Sequence, residues 1–117
     1  MKYMLFCCND EGKLEGMSGK EMDAVMTETY AVIEDLRKSG HYIMSERLQP
    51  VTTAAMVRVR NGKISTTDGP FAETKEQIGG FWIIEAKDRD EAAYIAARFP
   101  SARLGGIEVR PLREMPA

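Results

Sequence analysis

Asp68-Gly69-Pro70-Phe71-Ala72-Glu73-Thr74-Lys75-Glu76 holds the densest run of backbone-special and charged residues in the chain. Gly69 permits a positive φ, Pro70 fixes its own φ, and a residue before proline avoids helix. The stretch is therefore a loop, and the fold is read from what enters and leaves it. Ala54–Arg60 enters as a strand, with Ala55, Val57 and Val59 facing in and Met56, Arg58 and Arg60 facing the other way. Asn61-Gly62 is the favoured type I′ hairpin pair, so Lys63–Thr67 returns antiparallel. The most hydrophobic strand, Gly80–Ala86, leaves the loop with Phe81 and Ile83 on one face and Trp82, Ile84 and Ala86 on the other.

Further out, Lys2–Cys8 is a strand with two apolar faces, ended by the turn residues Asn9-Asp10-Glu11-Gly12. Ser18 with Glu21 makes a capping box and opens a helix. Its buried stripe is Met22, Val25, Met26, Thr29, Val32, Ile33 and Leu36, and Gly40 stands at its C′ position. His41–Leu48 is a strand broken by Gln49-Pro50, with Tyr42, Met44 and Glu46 on one side. Asp88 with Glu91 opens a second helix carrying Ala92, Ile95, Ala96 and Phe99, closed by Pro100. Ile107–Leu112 is the last strand. The order β-α-β-β-(β)-α-β predicts a ferredoxin-like α+β fold: an antiparallel sheet, two helices on one face, and an extra hairpin strand. Helices on one side leave an apolar face bare, which predicts a homodimer through the sheet face and a dimeric α+β barrel.

The chain has 117 residues, the size of one domain, spanning 1–117. Net charge is −2, with no basic excess to follow phosphates, so no nucleic-acid partner is expected. No apolar run approaches the roughly 20 residues that span a bilayer, and the apolar N-terminus is too short for a signal peptide. The expectation is a cytoplasmic protein without a membrane partner. Cys7 and Cys8 are adjacent, point to opposite faces of a strand, and read as reduced thiols. With one histidine and no Cys/His pair, no metal site is expected, and no phosphate loop or serine elbow points to a cofactor.

Thr67–Phe81 as a whole resembles the signature of the DGPF-domain branch of the YCII-related family. The likeness continues upstream through Leu48-Gln49-Pro50 and Val57-Arg58-Val59-Arg60, and downstream through Asp90-Glu91-Ala92 and Ile107-Glu108-Val109-Arg110-Pro111-Leu112. It implies a dimeric α+β barrel over nearly the whole chain. More distant members carry a His–Asp pair proposed as an acid–base site. The Asp matches Asp68, but the place of the His, counted back from Gly40, falls near Thr29, and the only histidine is His41. DGPF proteins are also similar to products encoded beside extracytoplasmic-function sigma factors, which implies a regulatory setting.

Two readings of Asp68 stand side by side. It either builds its own loop through an Asx turn or serves as an acid–base group on a small organic molecule, its pKa tuned by Glu73, Glu76 and Lys75. Phe71 is a core anchor or pocket wall. Glu73 and Lys75 either line a pocket or form a solvated charge cluster. His41 and Glu46, the latter expected to point into the barrel beside Tyr42 and Met44, complete the candidates for substrate contact. A cofactor-independent enzyme using Asp68 and a non-catalytic ligand-binding or regulatory dimer are both compatible with these residues.

Overall fold

A computed structural model of the chain describes residues 1–72 and 74–115. Six strands and four helices alternate as β1 (Lys2–Asn9), α1 (Glu11–Glu15), α2 (Gly19–Lys38), β2 (Tyr42–Arg47), β3 (Ala55–Arg60), β4 (Lys63–Asp68), β5 (Gln77–Glu85), α3 (Arg89–Ala97), α4 (Ser101–Leu104) and β6 (Gly106–Pro111). A single 3₁₀ turn, Val51–Thr53, follows β2. The main sheet is antiparallel with the order β2-β5-β1-β6, which is the ferredoxin-like plan.

Local chemistry explains the helix ends. The Ser18 hydroxyl accepts from the Glu21 N–H at 3.1 Å, and the Glu21 carboxylate accepts from the Ser18 N–H at 3.3 Å, so both arms of the capping box are made. At the other end of α2, the Gly40 N–H donates to Arg37 O and the His41 N–H to Leu36 O, a Schellman closure with Gly40 at φ 81°. Asp88 caps α3 by accepting from the Glu91 N–H at 2.9 Å.

Strand register sorts the side chains. Tyr3, Leu5 and Cys7 of β1 and Trp82 and Ile84 of β5 face the helices. They meet Val32, Ile33 and Leu36 of α2 and Ala92, Ile95, Ala96 and Phe99, on and just after α3, in one core. Trp82 and Phe99 stack with centroids 4.1 Å apart. Met4, Phe6, Phe81 and Ile83 face the other way and are half-buried, and Met44 beside them is exposed. This open face is the apolar second face expected of the sheet. Among the described residues, no helix is long and apolar enough to cross a membrane.

Four local expectations are corrected. The Asn9–Gly12 segment is not only a turn, because Asp10 accepts from the Gly12 and Lys13 N–H groups and caps the five-residue α1. A second short helix, α4, follows Pro100. A bulge between Tyr42 and Met44 places Tyr42 opposite Ile84 on the helix side, whereas Glu46 pairs with Phe81 on the open side. Glu46 and Tyr42 therefore do not share a face. The hairpin is the fourth case. Asn61 and Gly62 have φ 52° and 74°, as a type I′ turn needs. Yet β3 and β4 pair only with each other, outside the main sheet, and Val57 and Val59 are 58% exposed instead of facing in.

Candidate functional site

The buried stripe of α2 is complete only in its second half. Thr29, Val32, Ile33 and Leu36 are buried, but Met22, Val25 and Met26 are only half-buried. The first half of the helix stands off the sheet, and α1 lies at this end of the molecule. Glu11 of α1 accepts from the Val51 N–H with both carboxylate oxygens, at 3.3 and 3.2 Å, and ties α1 to the turn after β2. The space left between α2, α1 and the sheet is a cleft of about 610 Å³.

Cys7, Gly80 and Trp82 on the helix side of the sheet line this cleft, as do Val25, Met26 and Thr29 of α2 and Leu14 of α1. Glu15, Arg47 and Leu48 are also in its lining and are exposed. Most of the lining is apolar. A small polar group lies where β1 meets α4: Asn9 Nδ2 donates to Cys7 Sγ at 3.1 Å, and Cys7 Sγ donates to Ser101 Oγ at 3.2 Å. The Thr29 hydroxyl is turned to its own helix and donates to Val25 O at 2.8 Å. Thr29 is thus a wall residue of the cleft.

The segment quoted first borders a second, shallower hollow of about 460 Å³. Gly69, Pro70, Thr74 and Lys75 line it from one side and Asp10, Glu11 and Gly12 from the other. Glu11 belongs to both spaces, so the two lie side by side.

The expected site residues are not gathered in one place. Asp68 ends β4, is exposed, and lines neither space. Among the described residues its carboxylate has no hydrogen bond or ion pair, so the Asx turn expected of it is not formed. Its neighbour Gly69 has φ 110°, as a glycine before that proline allows, and its N–H donates to Ala54 O at the root of the hairpin. Phe71 is 77% exposed, with the Arg58 guanidinium 5.9 Å from its ring centre, and is no core anchor in this chain. Lys75 lines the smaller hollow. Glu73 lies outside the described residues. Glu46 is at the exposed edge of the larger cleft. His41 precedes β2 at the end remote from the cleft, about 20 Å of strand away from Leu48. Its Nδ1 is 2.7 Å from Ser39 Oγ and its Nε2 is 3.4 Å from Glu91.

Cys7, Asn9, Thr29, Arg47, Trp82 and Ser101 carry the cleft and were not site candidates on sequence. The one sequence signal that bears on them is Asp10: read as an N-cap, it places a helix where the cleft needs its third wall. Both thiols are free. Cys8 lies on the opposite face from Cys7, where burial pushes its thiol pKa up and outweighs the lowering effect of a backbone hydrogen bond at Glu108.

The fold and cleft define a ferredoxin-like α+β domain with a ligand-sized space between its first long helix and its sheet. The model of the YCII-related domain matches residues 1–116, and the chain belongs to that family. A protein of Rhizobium meliloti (strain 1021), itself uncharacterised, is 40% identical over 114 residues, covering 96% of this chain and 92% of the relative.

Proposed function

We propose that this chain is a non-catalytic binding protein for a small organic molecule, held in the cleft between α2 and the sheet. The cleft itself carries the reading. At about 610 Å³ it falls in the size range of small-molecule sites, and it joins an apolar lining to a few convergent polar groups. The apolar body of the ligand packs on Trp82, Val25 and Met26, and its hydrogen-bonding end meets Asn9 and Ser101. The protein works as a homodimer through the open sheet face, a reading supported by Met4, Phe6, Met44, Phe81 and Ile83 on that face. Trp82 is the only tryptophan, so its fluorescence reports the cleft. Native mass spectrometry of the purified protein, followed by fluorescence titration with the released compound, tests the binding. A bound small molecule that shifts Trp82 emission, and is rejected when Val25→Phe fills the cleft, is the expected result. Binding that is indifferent to Val25→Phe places the ligand elsewhere and overturns the reading.

A second reading rests on Asp68. Its carboxylate has no partner among the described residues and stands one residue from the hollow that Lys75 lines. In a DGPF-type enzyme it would serve as the acid–base group, with Lys75 holding an anionic substrate. Asp68→Asn would then abolish turnover while leaving the unfolding midpoint unchanged. A large loss of stability in that variant would make Asp68 a structural residue and remove the catalytic reading.

A further inference from the structure

One wall of the cleft is a weakly fastened segment. Residues 10–17 link β1, whose last residue Asn9 pairs with Gln77, to the capping box at Ser18. They contain α1, a five-residue helix without a buried residue. A helix this short is marginal on its own propensity, so its place depends on what holds it. Asp10 and the backbone bonds that follow it act within the segment. Among the described residues, the one hydrogen bond that residues 10–17 make beyond themselves is that of Glu11, whose two carboxylate oxygens accept from the Val51 N–H at 3.3 and 3.2 Å. Pro50 heads the 3₁₀ turn Val51–Thr53 and has no side chain that could cap it, so the Val51 N–H is a leftover donor that Glu11 satisfies.

We propose that residues 10–17 are a strap that opens and closes the cleft, with Glu11 on the Val51 N–H as its latch. α1 stands as a partition. Leu14 and Glu15 line the cleft, Asp10 and Gly12 line the smaller hollow, and Glu11 lines both. Swinging α1 away therefore joins the two spaces and uncovers the cleft floor, where Cys7 is 8% and Trp82 7% exposed. Opening costs little in the empty protein. Glu11 and Val51 are half-buried at the surface and regain water when they part, and no buried side chain of α1 has to leave a core. A ligand reverses the balance. Leu14 is half-buried and lines the cleft from α1, so a ligand meets it only with the strap shut, and that difference in contact shifts the population toward the closed state. The strap rests on the ligand cleft proposed above and adds how a ligand enters it and is retained.

Cys7 reports the strap without a ligand. In a Cys8→Ser background Cys7 is the sole thiol, and its alkylation by N-ethylmaleimide, followed by mass spectrometry, measures how often the floor is uncovered. Glu11→Ala removes the acceptor of the latch. Val51→Pro removes the donor, at the first position of a helical turn, which proline favours, and after Pro50, whose ψ of 152° suits a following proline. Each variant should speed alkylation by about fivefold or more, as the loss of one charge-assisted hydrogen bond allows, with the urea midpoint close to that of the parent. Lys13→Gln, exposed on the same helix and outside both linings, should change neither. An alkylation rate that ignores both latch variants overturns the strap. So does a rise that merely follows a fall in the urea midpoint, since Cys7 is then reached through global unfolding. A compound that binds and is rejected by Val25→Phe, while Cys7 reactivity is indifferent to the latch, leaves the binding protein standing and removes the strap. Faster alkylation in both latch variants of a protein that carries no compound supports the strap and counts against the binding reading.

Discussion

Gly80→Ala probes the wall of the cleft where backbone meets backbone. Gly80 is buried in β5, the strand between β1 and β2, and pairs with Cys7 on one side and Arg47 on the other. A Cβ added there would lie 2.9 Å from Glu46 O and 3.4 Å from Arg47 Cα. Ordinary contact begins at 3.4 Å, so β2 must retreat by about 0.5 Å, and the obstructing atom is backbone that no rotamer change can clear. Overpacking of this kind costs about 1–3 kcal/mol. Because β2 is an edge strand it can yield, which favours the lower half of that range. The loss of unfolded-state freedom on replacing glycine returns about 0.4–1 kcal/mol.

The net expectation is a destabilisation of roughly 1 kcal/mol, a visible share of the 5–15 kcal/mol typical of a domain. Gly106→Ala is the internal control. Gly106 sits in β6 of the same sheet, and a Cβ there meets nothing within 4 Å. That variant should be neutral or slightly stabilised. Urea unfolding followed by Trp82 fluorescence measures both, with the slope compared to confirm that the unfolded state is unchanged. If Gly80→Ala proves as stable as Gly106→Ala at equal slope, close approach of β2 is not why glycine stands at position 80. Arg47 and Leu48 continue from the displaced strand into the cleft, so ligand binding should weaken in the same variant.

Ser18→Ala removes the side-chain half of the capping box and should cost about 1 kcal/mol in urea unfolding, with Ser18→Thr largely retaining stability. Cys8 has its thiol pKa raised by burial, so in the folded protein its alkylation should begin at higher pH than in the unfolded chain. The linked stability is fully present below the unfolded thiol pKa and is lost as pH rises through the folded value, which thermal melts across alkaline pH would register. The hydrogen bond from Arg103, 2.9 Å from Glu28, holds the Glu28 carboxyl below its ordinary pKa. Its small contribution is present above the unfolded carboxylate pKa and fades as pH falls through the folded one. An NMR titration of Glu28 should therefore move upward in Arg103→Gln.

Where each helix end is decided by neighbouring residues, the sequence could be read. Ser18 with Glu21, Gly40 after Arg37-Lys38, and Asp88 with Glu91 each satisfy orphan backbone groups within one turn, so their chemistry is complete without tertiary context. The same holds for Asn61-Gly62, whose positive φ values depend on two residues alone. α1 was missed because the residues that cap a five-residue helix, Asp10 and its neighbours, are also the residues that make turns. With a single apolar residue, Leu14, the segment has no helical period to separate the two. The Ile43 bulge is set by pairing with β5 and leaves no local mark. The alternation in β3 was legible, but alternation says only that two faces differ. It does not say which face, if either, the same chain covers.

The site was harder to read for a related reason. Asp68, Glu73, Lys75 and His41 stand out in the sequence because ionisable groups and odd backbone residues are conspicuous there. The large cleft is made instead by a helix half that does not reach the sheet, and its lining residues, such as Val25, Met26, Cys7 and Trp82, have the composition of core. A stripe that continues into buried core and a stripe that ends over a cavity have the same spacing in α2. What distinguishes them is α1 and the Glu11 carboxylate on the Val51 N–H, a contact between residues 40 apart in sequence. The hairpin obeys the same logic from outside. Val57 and Val59 also read as core, and in the fold they are exposed on a hairpin that the main sheet does not pair. In both places the apolar pattern reports that a surface can be covered, and the identity of the cover lies beyond the pattern.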